Sequence, residues 1–179
     1  MGIFNFKKRK IRKRRDQLCL EAETFIQVHF VRETPKDEKH KYNTLSLKSD
    51  PDREKCAEWY ANHDNPTYFS DIVVAYLKDY DKNENSLCEK LQLEKSFFSN
   101  LRSDKTYHPS KGEAVLMAFA FKLNLEETKA LFKSAEHSLS NSSKSDLVIR
   151  FFIDKKYYNV GDLNYVLDKL CEVKIKELV

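Results

Sequence analysis

Glycine and proline are scarce in this chain of 179 residues, with three and four copies respectively. Three glycines cannot build a glycine-rich phosphate-binding loop, and so few turn-forming residues disfavour an all-β fold. The chain also has no run of about 18 apolar residues, so we expect no transmembrane helix. Hydrophobic residues still make up 41% of the chain, which is enough for a packed core. With 34% charged residues, this composition predicts a mainly α-helical fold.

Sequence signals for catalysis and metal binding are missing as well. The five histidines lie far apart, and no histidine and cysteine have the spacing of a metal site. The adjacent Glu126 and Glu127 stand at the start of a predicted helix, where carboxylates interact favourably with the helix dipole, so capping accounts for them. No GxSxG elbow supports a nucleophilic triad. We therefore expect a protein that is not an enzyme and that uses no cofactor or metal.

The four cysteines are scattered, and no two of them form a Cys-x-x-Cys motif. This pattern is typical of free thiols in a reducing cytosol, where cysteine serves as a small hydrophobic side chain. The apolar part of the N-terminus is too short for a signal peptide. The sequence therefore predicts a cytoplasmic protein with four unpaired thiols, at Cys19, Cys56, Cys88 and Cys171.

Positive charge is concentrated at the N-terminus. Residues 1–15 contain eight Lys and Arg side chains and no acid, and because the whole chain has a net charge of +4, the remainder has −4. Like charges at this density repel one another, so we expect residues 1–16 to form a basic arm that is disordered when free. The cations of this arm are Lys7, Lys8, Arg9, Lys10, Arg12, Lys13, Arg14 and Arg15.

Three interpretations of the basic arm remain open. It is suited to the phosphates of a nucleic acid, which it would bind with little sequence specificity. It is also suited to an anionic membrane surface, with Ile3, Phe4 and Phe6 inserted among the lipids. The third interpretation is a tail that only increases solubility.

Residues 17–66 have mixed patterns that predict an N-terminal extension. The β-branched and aromatic stretch at residues 24–31 (TFIQVHFV) predicts a strand. Leu45 and Leu47 mark a second short strand, and the polar residues 33–41 predict an exposed loop between the two. A small hairpin of this kind is marginal alone, so it has to dock on another part of the chain.

A short helix and a chain break complete this extension. Residues 52–61 (DREKCAEWYA) predict a helix that carries Trp59 and Tyr60. The pair Asn65 and Pro66 then interrupts regular structure. We place a domain boundary there, so that residues 67–179 form the main helical domain.

From Thr67 onward the helical signal is strong. An apolar stripe at spacings of three and four residues predicts the first helix, through Phe69, Ile72, Val73, Tyr76, Leu77 and Tyr80. Capping patterns predict the starts of five further helices, at Ser86, Ser110 (after Pro109), Asn124, Ser143 and Asn159. With a helix that buries Phe98 and Leu101, this domain is predicted to contain about seven helices.

Part of this helical domain resembles a known family. The stretch LCEKLQLEKSFFSNLRSDK, followed by PSKGEAVLMAFAFKLNLEE, has apolar residues in the spacing of the lambda-repressor-like helix-turn-helix family. These residues are Leu87, Leu91, Leu93, Phe98, Leu101, Leu123 and Leu125. The resemblance covers roughly residues 68–136. It implies a bacterial or phage transcription regulator in which two short helices and a tight turn bind DNA.

Three residues depart from the pattern of that family. Gln92 and Asp104 stand where the family usually has glycine, and a left-handed backbone costs more at Gln92 than at glycine. Phe97 stands where the second helix usually presents a small polar side chain to the major groove. An exposed Phe97 would contact a thymine methyl group but would form no hydrogen bond with a base edge.

The C-terminal stretch SLSNSSKSDLVIRFFIDKKYYNVGDLNYVLDKL resembles a helical module that is attached to bacterial macrodomain-containing proteins. The 66 residues that precede the helical domain are too few for a macrodomain. This resemblance supports a helical C-terminal part and assigns no function.

The helix-turn-helix resemblance implies a set of DNA contacts. The second helix would place Lys95, Ser96, Ser99 and Asn100 at base edges, where Asn100 is suited to adenine and Lys95 to guanine. Three further cations would hold phosphates, namely Arg102, Lys105 and Lys111. Five basic and two acidic residues between positions 90 and 111 make this patch +3, whereas residues 67–137 as a whole have a charge of −1.

Two functions therefore remain open at this point. The first is a DNA-binding regulator that combines the helix-turn-helix with the basic arm, and the family's usual dimers make a homodimer a further expectation. The second is a protein-interaction adaptor in bacterial stress signalling or phage defence. It is motivated by the acidic body of the chain, by the resemblance of the C-terminal part to a module that is attached to other domains, and by Phe97. An exposed Phe97 would serve as its anchor, since exposed aromatic side chains are typical of protein interfaces.

Overall fold

The computed structural model describes residues 2–32, 68–79 and 83–178. Within these ranges the chain forms α-helices and one short 3-10 helix, and no strand, which confirms the mainly helical prediction. None of the described helices combines the length and the apolar character needed to cross a membrane. The helices are α1 (Gly2–His29), α2 (Phe69–Asp79), α3 (Glu84–Leu91), α4 (Phe97–Ser103), α5 (Lys111–Ala120), α6 (Leu125–Ser134), α7 (Lys144–Asp154) and α8 (Val160–Cys171), followed by the 3-10 helix Ile175–Glu177.

The starts of α5 to α8 are set by the capping residues that the sequence predicts. Ser110 and Asn124 each form a full capping box, in which the cap side chain accepts a backbone N–H and the glutamate three positions later accepts the N–H of the cap residue. Ser143 and Asn159 each accept one backbone N–H, from Asp146 and from Asp162. Local hydrogen bonding therefore fixes these four helix starts.

Helix α3 begins earlier than predicted. The sequence predicts its cap at Ser86, but the Asn83 side chain accepts the N–H of Ser86 at 3.2 Å, and the helix starts at Glu84. This earlier start places the Glu84 carboxylate in the first turn, where it interacts favourably with the helix dipole. It also keeps Leu87 and Leu91 buried, as predicted.

Helix α5 lies at the centre of the hydrophobic core. All its residues from position 114 to position 119 are buried, and it contacts α3, α6 and the 3-10 helix. A Cβ atom on Gly112 would lie 2.2 Å from the carbonyl oxygen of Ile175, so only glycine permits the C-terminal turn to pack this closely on α5. One of the few glycines in the chain is thus explained by close packing.

The strand predicted for residues 24–31 is wrong, because residues 24–29 belong to α1. Leu18, Ala22 and Ile26 are spaced by four residues and are all buried. This helical stripe packs on α7 and α8. The burial of a helical face therefore outweighs the strand preference of the β-branched residues.

The predicted disordered arm is also helical in the structure. Helix α1 runs from Gly2 through position 16 without a break, so the boundary predicted after residue 16 falls inside a helix. Lys and Arg are good helix formers, and the rest of the helix is held against the bundle, which favours continuation towards the N-terminus. The other predictions for residues 33–66 (a loop, a second strand, a short helix and a chain break) lie outside the described residues.

Helix ends in this structure use left-handed residues that are not glycine. Gln92 ends α3 with φ 54° and ψ 39°, the conformation expected at this turn. Four other residues that follow helices share it, with φ between 53° and 57°. They are Lys122, Glu136, Lys156 and Glu172. Each such residue is strained relative to glycine by about 1 kcal/mol, so the scarcity of glycine has a cost in stability.

Candidate nucleic-acid interface

The turn between α3 and α4 positions the second short helix. The N–H of Leu93 donates to the carbonyl oxygen of Cys88 at 3.0 Å, directly after the left-handed Gln92. Phe98 and Leu101 of α4 are buried, as predicted, and pack this side of the helix against the hydrophobic core. The predicted base-contacting residues are all exposed, and we call them the α4 face: Lys95, Ser96, Ser99 and Asn100.

The hydroxyl groups of the α4 face are partly used within the helix. Ser99 Oγ donates to the carbonyl oxygen of Ser96 at 2.7 Å, and Ser96 Oγ donates to the Glu94 carboxylate at 3.4 Å. Both oxygen atoms keep acceptor capacity towards a ligand. Lys95 and Asn100 therefore supply the main donors of this face.

The prediction that Phe97 is exposed is wrong. Its side chain is only 1% exposed and packs edge-on against Phe98 and Tyr107, with ring centroids 5.0 Å and 6.1 Å away. The loop after α4 brings Tyr107 over this ring, which removes it from solvent. Phe97 is thus a core residue, and neither a thymine contact nor an interface anchor can be built on it.

Tyr107 is itself held by its surroundings. Its hydroxyl donates to the Glu113 carboxylate at 3.4 Å. Burial, together with the negative charge of Glu113, raises the pKa of Tyr107 to about 12. This side chain therefore stays neutral and structural at physiological pH.

Two of the three predicted phosphate-binding cations are already paired. Arg102 forms an ion pair with Glu84 on α3. Lys111 is the clearer case, because its Nζ lies 2.7 Å from Oδ1 of Asp146, a carboxylate whose side chain is only 1% exposed. The backbone N–H of Ser140 donates to the same carboxylate at 2.9 Å. Lys111 is therefore a structural residue, which corrects its predicted role, while Lys105 remains exposed.

The loop that follows α4 carries a fixed negative charge. The hydroxyl and the backbone N–H of Thr106 both donate to Asp104 Oδ1, at 2.7 Å and 2.8 Å. These hydrogen bonds hold the pKa of Asp104 below its usual value, so the carboxylate stays ionised. The negative charge that the sequence assigns to Asp104 is therefore present beside α4.

Asp162 at the start of α8 anchors helix α1. Its side chain is only 1% exposed, and Arg14 Nη2 and Arg15 Nε lie 2.6 Å and 2.7 Å from its two oxygen atoms. The Tyr157 hydroxyl donates to it at 2.6 Å. Arg14 and Arg15, which the sequence predicts to bind phosphate, are therefore occupied by a buried carboxylate.

These contacts determine how Asp162 titrates. Burial alone would raise the pKa of Asp162, but the hydrogen bonds from Arg15 and Tyr157 and the charges of both arginines outweigh it, and the pKa lies below its usual value. Burial and the bond to Asp162 also raise the pKa of Tyr157. The cluster therefore holds its charge from neutral pH down into the acidic range.

Further contacts hold the rest of α1 on the bundle. Tyr165 donates to Asp16 at 3.1 Å, and the Arg15 guanidinium lies 5.2 Å from the centre of the Tyr165 ring. Further along α1, Phe25 packs on Phe151 with ring centroids 5.7 Å apart. Helix α1 is thus anchored from position 14 onward.

Residues 7–13 of α1, which we call the basic segment, precede this anchored part. All of them are exposed, including Ile11 with 42% of its side chain accessible. The segment has six cations and no acid. They are Lys7, Lys8, Arg9, Lys10, Arg12 and Lys13. The side chains of Ile3, Phe4 and Phe6 lie outside the described part of the chain, so their proposed membrane contacts stay a prediction.

The cysteine predictions are confirmed where the structure describes them. Cys19, Cys88 and Cys171 are free thiols. Burial raises the pKa of all three, so each stays protonated and packs as a small apolar group. Cys56 lies outside the described residues.

Sequence reasoning missed three acidic partners, namely Glu84, Asp146 and Asp162. Each occupies the first turn of a helix, where capping and the helix dipole already explain an acid. Nothing in the local pattern distinguishes a capping carboxylate from one that also binds a distant cation. Only the tertiary structure shows that these acids neutralise four of the predicted ligand-binding cations.

We expect Asp162→Asn to lower the free energy of unfolding by about 2 kcal/mol at neutral pH, because it removes a buried carboxylate from two arginines that are still partly solvated. Urea unfolding followed by circular dichroism measures this loss. Because the pKa of Asp162 is depressed in the folded protein, the full loss of unfolding free energy is expected above about pH 4. The loss becomes smaller as the pH falls through the pKa of Asp162 in the folded state. Asp168→Asn, at an exposed position of the same helix, is the control. A loss of unfolding free energy that is the same at all pH values would contradict an anchoring role of the ionised Asp162 carboxylate.

Lys111→Ala is expected to lower the free energy of unfolding by about 3 kcal/mol, because it leaves the buried Asp146 carboxylate without a counter-charge. The matched variant Lys105→Ala removes an exposed lysine nearby and is expected to change the free energy of unfolding by less than about 0.5 kcal/mol. Chemical denaturation of the two variants under the same conditions measures both changes. Equal stabilities would show that Lys111 is as free as the sequence predicts.

No family model matches this chain, and no curated protein or solved structure is similar enough to it to count as a match.

Proposed function

We propose that this protein is a non-enzymatic DNA-binding regulator of the bacterial or phage type. The observation that carries the proposal is the basic segment, in which six exposed Lys and Arg side chains stand on two turns of helix without an acid. Neutralisation of phosphates by such cations releases counterions and provides most of the affinity of a protein for DNA. The rest of the chain is acidic, so attraction to a polyanion has to come from this segment.

The geometry around α4 supports a helix-turn-helix within the same protein. Two short helices of eight and seven residues are joined by a turn that starts at a left-handed residue, and each helix buries apolar side chains on its inner side. The α4 face then presents Lys95 and Asn100, which are suited to guanine and adenine in the major groove. Lys105 is exposed and would hold a phosphate, and Arg102 would do so only after leaving Glu84.

The alternative of a protein-interaction adaptor loses its expected anchor, because the Phe97 side chain belongs to the core. Its other two grounds, the acidic body and the resemblance of the C-terminal part, name no surface for a partner. The exposed residues of the α4 face are short or polar, which is more typical of a surface that binds bases than of one that binds a hydrophobic partner.

The basic segment is tested by the salt dependence of binding. Fluorescence anisotropy with a duplex of about 30 base pairs gives the slope of log Kobs against log salt concentration. Replacing Lys7, Lys10 and Lys13 by Gln is expected to flatten this slope by about 2–3 units, because each phosphate contact contributes about 0.9. The control replaces three exposed lysines elsewhere by Gln, namely Lys122, Lys133 and Lys176. An equal slope in both triple variants would show that the attraction is diffuse.

The α4 face is tested by sequence selection from a pool of randomised duplexes. We expect the unmodified protein to enrich particular sequences and the double variant Lys95→Ala with Asn100→Ala to lose that enrichment, since a good bidentate base contact discriminates by about 1–3 kcal/mol. Lys90→Ala on the neighbouring helix, also exposed, is the control. If the double variant enriches the same sequences, the α4 face does not contact bases.

A further inference from the structure

The cations of the basic segment point in all directions around the helix. Successive residues of an α-helix are rotated by about 100°, so six cations within seven positions leave no wide sector without charge. Ile11 is the one residue of the segment that is not basic. A flat anionic surface would contact only one side of such a helix and would leave the charges on the other side in water.

This segment is unfavourable as a free helix. The segment has no acid, and the pairs Lys8–Arg12 and Arg9–Lys13 place like charges four positions apart, where they repel. This repulsion is removed when anions surround the helix. The arrangement is therefore adapted to a ligand that encloses it with negative charge.

The direction of the segment is set by the anchored part of α1. Arg14 and Arg15, directly after the segment, are held by Asp162, and the helix is continuous through both parts. The segment is therefore presented as a helix of fixed direction, and its six cations keep a fixed spacing over about 10 Å.

We propose that the basic segment enters the major groove of B-form DNA as a helix. This inference rests on the proposed DNA-binding function and specifies its geometry. The groove is about 12 Å wide, admits an α-helix and has phosphates along both walls, which matches cations on both sides of the segment. The major groove of A-form RNA is too narrow and deep for a helix of this kind, so the ligand is duplex DNA.

Substitutions at Ile11 distinguish a segment that binds as a helix from one that binds as a flexible basic tail, because they leave every charge in place. Proline at position 11 removes the hydrogen bond from its N–H to position 7 and disfavours helical backbone at position 10. Residues 12–29 keep their helix, since proline is tolerated in a first turn. Ile11→Ala is the matched control, which removes the same side chain and keeps the helix.

The experiment measures the affinity of the full-length chain, Ile11→Ala and Ile11→Pro for a DNA duplex of about 30 base pairs by anisotropy. We expect Ile11→Pro to bind at least about tenfold more weakly than Ile11→Ala. Urea unfolding of both variants checks that the helical bundle stays folded. The probes for comparison are an RNA duplex and single-stranded DNA of the same sequence, and vesicles of equal parts phosphatidylcholine and phosphatidylserine. Each is expected to bind at least about tenfold more weakly than the DNA duplex.

Other outcomes overturn the inference in distinguishable ways. Equal affinities of the two Ile11 variants for the DNA duplex would show that the segment acts as a basic tail, and the proposed function would stand. Tighter binding to the RNA duplex or to single-stranded DNA would show that the major groove of B-form DNA is not the preferred binding site of the segment. Binding to vesicles with none to duplex DNA would overturn both this inference and the proposed function.

Discussion

The buried carboxylate of Asp162 is the contact on which the candidate site depends. It lies in the first turn of α8 and binds two consecutive arginines of α1. It also accepts a hydrogen bond from the Tyr157 hydroxyl. A buried carboxylate is stable as an ion only when cations and donors surround it. The same requirement helps to set the direction of α1, because both arginines have to reach one group. Together with the buried apolar stripe of α1, this ion cluster orients the cations that precede it.

In the proposed function, attraction to DNA and recognition of bases belong to two separate regions of the described chain. Helix α1 packs on α7 and α8, while α4 follows the turn after α3, which contacts α5. The basic segment carries six cations and no acid, and the α4 face carries the side chains that are suited to bases. Ion pairs at Arg102 and Lys111 lower the charge near α4, so the two regions differ more in character than the sequence alone indicates. Under the proposed function, affinity and sequence preference would be set by different residues and would change independently.

The sequence was sufficient where the determining signals are local. The caps at Ser110, Asn124, Ser143 and Asn159 depend on contacts over three residues, and the structure has all four. The sequence was insufficient for α1, where dense charge suggested disorder and β-branched residues suggested a strand. The helical stripe of this element is stabilised only by packing on helices more than a hundred residues away. Phe97 was misplaced for a related reason, since the loop that brings Tyr107 over it follows the helix and has no signature in the pattern.

The position of α1 also has a consequence for the order of folding. Arg15 and Asp162 are separated by 147 positions in the chain, and the buried face of α1 is completed only by α7 and α8. During synthesis this face stays exposed until nearly the whole chain has left the ribosome. Contacts of such long range slow folding, because a large loop has to close before they form. Until then the nascent chain displays an unprotected apolar stripe next to a strongly basic end, the kind of surface that chaperones and nucleic acids in the cell encounter first.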